Sequence, residues 1–533
     1  MRASRSLALV AAAAAALPLA GCGDDAAKGP RPPGGEVRPN AQREGAYVSD
    51  LLGGMSDAEK VGQLFVPTVA GAADGKAMIK KYKVGGFIYF PPNLRTPRQT
   101  AELSNTLQKA SKVPLLIGVD EEQGLVSRAR YLTRFPGNMA LGATGDPANA
   151  RDAARVTGTE LRAVGINQDY APDADVNVNP ANPVIGVRSF GADGNRVASM
   201  VSAAVAGYQS AGVAATAKHF PGHGDTATDS HTGLPVIRHS AKQWERVDAP
   251  PFRAAAAAGV DSIMSAHIVV PGLDSSGDPA TLSKTVLTGL LRGRLGYRGV
   301  IITDSLRMAG VRRKYGDSVV PVRAINAGAD QLLMPPDLPR AYDAVLKAVK
   351  SGKISRKRLD EAVERILRMK ERRGLFKGTR VDPARADAVI GSAAHRAVAR
   401  RVAERSVTLV RNDGALPLRS RTVAVTGPHS ETLTAALRKQ GVRIAPASSA
   451  GVLVVTALNS RPAVPRGRTV VVAALGSPYV LDHAAGAKAA LATYSSSSTS
   501  VNALAKVLAG KVKPTAKLPV PVAGHPIGYG LTY

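Results

Sequence analysis

Three histidines, two aspartates and a lysine crowd residues 218–235, a glycine-rich stretch reading KHFPGHGDTATDSHTGLP. They are Lys218, His219, His223, Asp225, Asp229 and His231, in a chain of 533 residues with only nine histidines. The stretch follows an apolar alternation at Val213, Ala215 and Ala217. Loops held on a rigid scaffold commonly carry function, and a polar surface turn is the plain alternative. Asp229 and His231 form its sharpest pair. A carboxylate accepting from one imidazole nitrogen orients the ring and favours its cation, which would poise His231 to give and take a proton near neutral pH. One intervening residue lets the two side chains meet only if the chain curls, which Gly222, Gly224 and Gly233 permit.

A second group of interest is Asp304, at the end of the apolar run Val300-Ile301-Ile302-Thr303. Aspartate there could simply cap the next helix. As a nucleophile it would form a covalent intermediate with an acetal carbon, while a separate acid protonates the leaving oxygen and then acts as base toward water. That is retaining glycoside hydrolysis, for which paired carboxyls stand about 5–5.5 Å apart. Other chemistries fit less well. His219, His223, Asp225 and His231 could ligate zinc, but the chain lacks a His-Glu-x-x-His helix and a cysteine ligand. The loop has no Gly-Lys-Ser/Thr ending of a phosphate-binding loop, and Ser230 lacks a nucleophile elbow. No metal and no cofactor is expected.

What must position these groups is a regular alternation of short apolar segments with amphipathic ones. Strands are predicted at 62–69, 84–90, 115–119, 166–170, 213–217, 262–266, 300–303 and 331–334. Helices are predicted at 98–110, 148–164, 198–211 and 242–258. Strands separated by helices imply βαβ units and a parallel sheet. Eight such units suggest a (β/α)8 TIM-type barrel, although an open doubly wound sheet shares the pattern. The polar residues favour the barrel. Asp120 and Glu122 follow one strand; Asp169, Asp173 and Asp175 close or follow the next. Lys218 and His219, then His267, then Asp304 end three more. Carboxyl ends of barrel strands all face one way, and active sites of such enzymes lie there.

The expected organisation is a barrel over 46–375, a linker over 376–392 and a smaller α/β sandwich domain over 393–533. The latter has predicted strands at 407–410, 422–426, 452–456, 470–474 and 490–494, and the serine run 495–500 reads as a loop. Ahead of the barrel, Arg2 and Arg5 precede an apolar run too short to span a bilayer, ending in Leu19-Ala20-Gly21-Cys22. This has the pattern of a bacterial lipobox, which would make 1–22 a lipoprotein signal peptide and Cys22, the sole cysteine, the lipidated residue. Residues 23–45, rich in Gly, Pro and charge, read as a disordered tether. Several acyl chains would suffice for stable membrane anchoring on the extracytoplasmic side. The net charge of +29 is spread along the chain without a basic run interleaved with aromatics, which make up 4% of residues. A nucleic-acid partner is therefore not expected.

With these residues in view, the chain resembles glycoside hydrolase family 3. The resemblance rests on 218–231, on Asp304 and on Arg188-Ser189-Phe190-Gly191. It continues weakly through 403–418 and the closing Tyr529-Gly530-Leu531-Thr532-Tyr533. The Asp229-Ser230-His231 loop is similar to the β-N-acetylglucosaminidase branch. The resemblance implies Asp304 as nucleophile and His231 as acid/base with Asp229 as its partner. It implies Asp120, Arg128, Arg188, Lys218 and His219 as sugar contacts. The family's Asp-Gln-Glu-Gly-Gly stretch stands here as Asp120-Glu121-Glu122-Gln123-Gly124, so Gln123 replaces a glycine. Ser305 stands where many relatives carry a second aspartate.

The function so implied is a retaining exo-β-N-acetylglucosaminidase acting on an oligosaccharide substrate, peptidoglycan-derived or chitin-type. Phosphorolysis by the same residues, a β-glucosidase, or a non-enzymatic sugar-binding envelope lipoprotein are the alternatives.

Overall fold

The structure is a computed structural model that describes residues 47–533 except His231, Thr232 and Ser420. The expectations for 1–45, Cys22 among them, and for His231 therefore lie outside the described residues. No helix of the described residues is long and apolar enough to cross a membrane.

Eight parallel strands follow one another in chain order: β1 (Phe65–Val66), β2 (Gly86–Ile88), β3 (Leu116–Val119), β4 (Gln168–Asp169), β5 (Ala214–Phe220), β6 (Ser262–Ser265), β7 (Val300–Thr303) and β8 (Leu332–Leu333). β2 to β7 form a continuous ladder and β1 pairs with β8. Single bridges, Thr68 with Ile88 and Ile302 with Gln331, join the two sets and complete the ring. The open sheet is thereby set aside in favour of the barrel. All residues of these strands are buried, as expected when helices cover the outside and side chains fill the inside. Inside the ring, Val66, Ile88, Tyr170, Met264, Ile302 and Leu333 make a separate apolar cluster.

The covering helices start where the sequence supplies caps. Thr96, Asp146, Asp193 and Ser355 each accept a backbone N–H from the first turn of the helices Pro97–Ala110, Pro147–Ala163, Gly194–Ser210 and Arg356–Arg372. The single helix expected over 242–258 is two, Ala241–Val247 and Ala249–Ala257. Pro250 and Pro251 fall in the first turn of the second, where a missing N–H costs least.

The second sheet comprises β9 (Thr408–Asn412), β10 (Val423–Thr426), β11 (Val452–Ala457), β12 (Val470–Ala474) and β13 (Ala489–Ala492) in the order β10-β11-β12-β13-β9, with β9 antiparallel to β13 and the rest parallel. Met139, Ala140 and Ala143 of the barrel pack into its core. Two readings of the sequence are revised here. The segment 376–392 is not a bare linker: it contains the helix Pro383–Val389, and the Asn105 amide clasps both backbone groups of Val381 at 3.0 and 2.8 Å. The serine run is a loop only as far as Ser497, whose hydroxyl accepts from Ser500 N and caps the helix Ser498–Leu508. Serine, poor in helix interiors, is a strong N-cap.

Candidate active site

The carboxyl ends of the barrel strands open into a cavity of about 380 Å³. Asp120, Arg128, Arg188, Lys218, His219 and Asp304 all line it. Asp304 ends β7; its N–H donates to the Ser265 carbonyl at 3.1 Å, pinning the turn to β6. Its carboxylate accepts from Ser305 N at 2.6 Å and is partly exposed to the cavity. It caps no helix, since the next begins at Ala309. Burial works against ionisation, but His219, His267, the Ser305 amide and Lys218 outweigh it and hold Asp304 below the usual carboxylate range.

Lys218 is 2% exposed and needs compensation for its charge. It finds two carboxylates, Asp120 Oδ1 at 2.8 Å and Glu122 Oε1 at 2.7 Å. Glu122 in turn receives a bidentate fork from Arg188, Nε to Oε2 at 2.9 Å and Nη2 to Oε1 at 2.8 Å. Burial opposes the charge on each member, yet the partners prevail. Lys218 and Arg188 are raised, and Glu122 is lowered. This network presents fixed donors and an acceptor to the cavity.

His219 is oriented from behind. Its Nδ1 lies 2.7 Å from Asp175 Oδ2, and its Nε2 lies 3.4 Å from Arg188 Nη2. The carboxylate on one side and the guanidinium on the other fix the orientation of the ring. Asp175 also accepts from the backbone N–H of His219 and of His223, at 3.2 and 2.7 Å. Burial resists its charge, but His219 and these donors keep it lowered. Neighbouring Asp173 goes the other way, raised well above the ordinary range by burial first and then by Asp175. The Lys218–His219 peptide is cis.

The loop after β5 then folds over the barrel mouth. His223 Nε2 meets Ser230 Oγ at 3.0 Å, and Asp225 pairs with His239 Nε2 at 3.0 Å. His239 is fixed on its other side by Asp248 at 2.6 Å, and its pKa is raised by that hydrogen bond. Gly222 has φ +127° and Gly224 approaches so closely that a Cβ would lie 1.8 Å from the Val176 carbonyl. Gly233 is under neither demand. The loop's far end rests on the segment after Asp304: a Cβ on Gly310 would lie 2.6 Å from the Gly233 carbonyl and 3.3 Å from that of Ser230. Ser230 lines the cavity, and Asp229 precedes it with a partly exposed side chain.

Glu122 and Asp175, legible in sequence only as strand-end acids, are the hubs of this site. Spacing alone gave them no priority over Asp169 or Asp173. The apolar wall, with Phe90, Met264 and Met334, carried no titratable signal at all. Arg128 stands over the Phe90 ring at 5.7 Å, and its backbone N–H donates to the buried Glu121 at 2.9 Å. Gln123 takes up the left-handed conformation of the glycine it replaces, with φ +65°. Its side chain turns into the scaffold, donating to Thr133 O and Thr157 Oγ1 and accepting from Phe135 N.

Of the zinc set considered from sequence, Asp225 pairs with His239, and His231 lies outside the described residues. Asp173, Asp175 and His219 do lie close enough together to ligate an ion. The Arg188 guanidinium, 3.7 Å from Asp173 Oδ2, occupies that neighbourhood with a fixed positive charge and opposes a cation there.

Comparisons with known proteins agree with this geometry. The profile of the glycosyl hydrolase family 3 N terminal domain matches residues 57–369, and that of the family's C-terminal domain matches 453–529. The chain is 39% identical over 373 residues to a β-hexosaminidase A of Pseudoalteromonas piscicida, covering 64% of this chain and 62% of that one. The chain thus spans about three fifths of that relative's length. It is 34% identical to the β-hexosaminidase LpqI of Mycobacterium tuberculosis, over 69% of this chain and 97% of that one. A solved family 3 β-N-acetylglucosaminidase from Paenibacillus sp. superposes with a TM-score of 0.81 at 36% identity, over 89% of this chain and all of that one. These profile matches and relatives place this chain in glycosyl hydrolase family 3.

Proposed function

We propose that the protein is a retaining exo-β-N-acetylglucosaminidase that removes terminal N-acetyl-β-D-glucosaminyl units from peptidoglycan-derived or chitin-type oligosaccharides. The observation that carries this reading is Asp304, a carboxylate kept ionised and open to a cavity walled by Asp120, Lys218, Arg188 and His219. Similarity to proteins named β-hexosaminidase and β-N-acetylglucosaminidase supports the substrate class. A volume near the lower end for ligand sites suits one terminal sugar rather than a threaded chain.

In this mechanism Lys218, Asp120, Arg188 and His219 hold the sugar's oxygens, and Asp304 attacks the anomeric carbon. His231 protonates the departing oxygen and then takes a proton from water, with Asp229 favouring its cation. Bond making at Asp304 and bond breaking at the aglycone oxygen balance in the first step; water reverses them in the second.

The test is labelling with a fluorinated mechanism-based glycoside, followed by identification of the modified residue. A label on Asp304 is expected, and a label elsewhere would overturn the assignment. Asp304→Asn should abolish turnover.

One observation favours phosphorolysis as the second reading. Arg128 and Arg307 border the cavity and have no carboxylate partner among the described residues. A cationic rim and a histidine donor both tolerate an incoming phosphate. Product analysis with and without phosphate separates the two, by sugar 1-phosphate against free sugar. We also infer that Cys22 is acylated and anchors the protein on the extracytoplasmic face of the cell membrane. Loss of radiolabelled palmitate incorporation in Cys22→Ala would support this, and retained incorporation would refute it.

A further inference from the structure

A second cavity, about 610 Å³, lies at the other end of the barrel from the catalytic one. Its floor is apolar, with Leu51, Met55 and Ile79. Its rim carries four exposed lysines, Lys76, Lys80, Lys83 and Lys112. Lys80 lies in the last turn of the helix Ala72–Tyr82 and Lys83 caps it, just before β2 begins at Gly86. Lys112 follows the helix Pro97–Ala110, just before β3 begins at Leu116. They therefore lie beside the amino ends of β2 and β3, whereas Asp120, Lys218 and Asp304 stand at the carboxyl ends of the strands.

Cations at helix ends are common because they complement the helix dipole, which accounts for Lys80. It does not account for Lys76, in the middle of its helix, for Lys112, beyond its helix, or for the apolar floor between them. No carboxylate of the described residues lies within 4.0 Å of any of the four rim ammoniums, although the charges of Lys112 and Lys83 are felt by Glu59. Two acids share the cavity. Asp50 is exposed, and half-buried Glu59 folds back on the helix start, accepting from the N–H and hydroxyl of Ser56 at 3.0 and 2.9 Å. Positive charge thus exceeds negative by two, and Lys81 and Lys109 lie exposed on the same two helices. One wall of the cavity is the helix over 47–53, with which the described chain opens.

An apolar floor under a cationic rim is complementary to an amphiphile with an anionic head. We propose that this cavity and its lysine rim bind the anionic phospholipids of a bilayer surface, seating the barrel base-down so that the catalytic cavity faces away from the membrane. Lysine ammoniums meet the phosphates, and the floor takes the glycerol and upper acyl carbons. The proposal depends on neither acylation of Cys22 nor glycosidase activity.

The test uses the full chain with Cys22→Ser, which cannot be acylated, and sedimentable vesicles of phosphatidylcholine alone or mixed with phosphatidylglycerol. Binding is expected only to the mixed vesicles. The combined variant Lys76→Gln, Lys80→Gln, Lys83→Gln and Lys112→Gln should lower the bound-to-free ratio on the order of a thousandfold. A control variant with Lys242, Lys439, Lys511 and Lys513 each changed to Gln removes the same charge elsewhere and should bind as the parent does. An equal loss in both variants would reduce the effect to net charge and overturn the proposal, as would equal binding to both vesicles. Thermal melting of both variants distinguishes lost binding from lost folding. Leu51→Gln, keeping every lysine, should weaken binding as well; unchanged binding would refute the role of the floor.

Discussion

His219 presents its Nδ1 to Asp175 Oδ2 at 2.7 Å, and Asp175 accepts two backbone N–H groups of the same loop. One buried carboxylate thus fixes both the ring that borders the catalytic cavity and the chain that leads into 218–235. An amide at this position would put an N–H against one of those donors. Asp175→Asn should lower kcat/KM by about a hundredfold through displacement of His219. It should also destabilise the fold by about 3 kcal/mol, as expected when a buried paired charge is broken. Steady-state kinetics on a chromogenic N-acetylglucosaminide and thermal melting measure the two effects separately.

Glu121 gives the protein a pH-dependent stability. Burial pushes its carboxyl up to about 7 from an ordinary 4.5, although it accepts from Arg128 N and Ala129 N. Between those values the folded chain keeps a proton that the unfolded chain has released, so stability falls as pH rises. The contribution is present in full below the unfolded value and is lost as pH passes about 7. It amounts to about 3 kcal/mol. Glu121→Gln stays neutral and retains an acceptor for both N–H groups. It should flatten the profile over that window and be the more stable form at mildly alkaline pH, by denaturant titration.

At Gln123 two effects oppose each other. Glycine would relieve the left-handed backbone at φ +65°, a gain of roughly 1 kcal/mol. It would also remove the bonds to Thr133 O, Thr157 Oγ1 and Phe135 N, each contributing about 1 kcal/mol, and leave a buried amide unpaired. The losses win. Gln123→Gly should destabilise the protein by about 2 kcal/mol with little change in KM, checked by melting and kinetics together.

The sandwich reaches the site through Tyr479. Its hydroxyl accepts from Asn177 Nδ2 at 3.2 Å, and Asn177 Oδ1 accepts from Gly186 N at 3.1 Å, where the turn Gly186–Arg188 begins. Tyr479→Phe removes only that hydroxyl. KM should rise a few-fold, roughly what one hydrogen bond of about 1 kcal/mol provides, while kcat changes little because Asp304 is untouched.

The sequence alone determined the run of parallel βα units and favoured the barrel and its mouth, while the bridges of Thr68 with Ile88 and Ile302 with Gln331 decided closure over an open sheet. Short apolar runs at regular intervals admit few packings, and polar residues at the ends of five of them fall on one face because parallel strands share a direction. Asp120, Lys218, His219 and Asp304 were legible for that reason, and the cavity brings them together. The caps Thr96 and Asp146 came from the structure, although each is a contact between adjacent residues. What the sequence could not rank were Glu122 and Asp175 among their acidic neighbours. Their importance lies in partners 66 and 44 residues away, Arg188 and His219, which only the folded barrel brings within reach. The inward turn of Gln123, the support from Tyr479 and the seat of the 218–235 loop on Gly310 are tertiary in the same sense. Periodicity tells which face of a strand or helix is buried, but not which group from a distant segment will be packed against it.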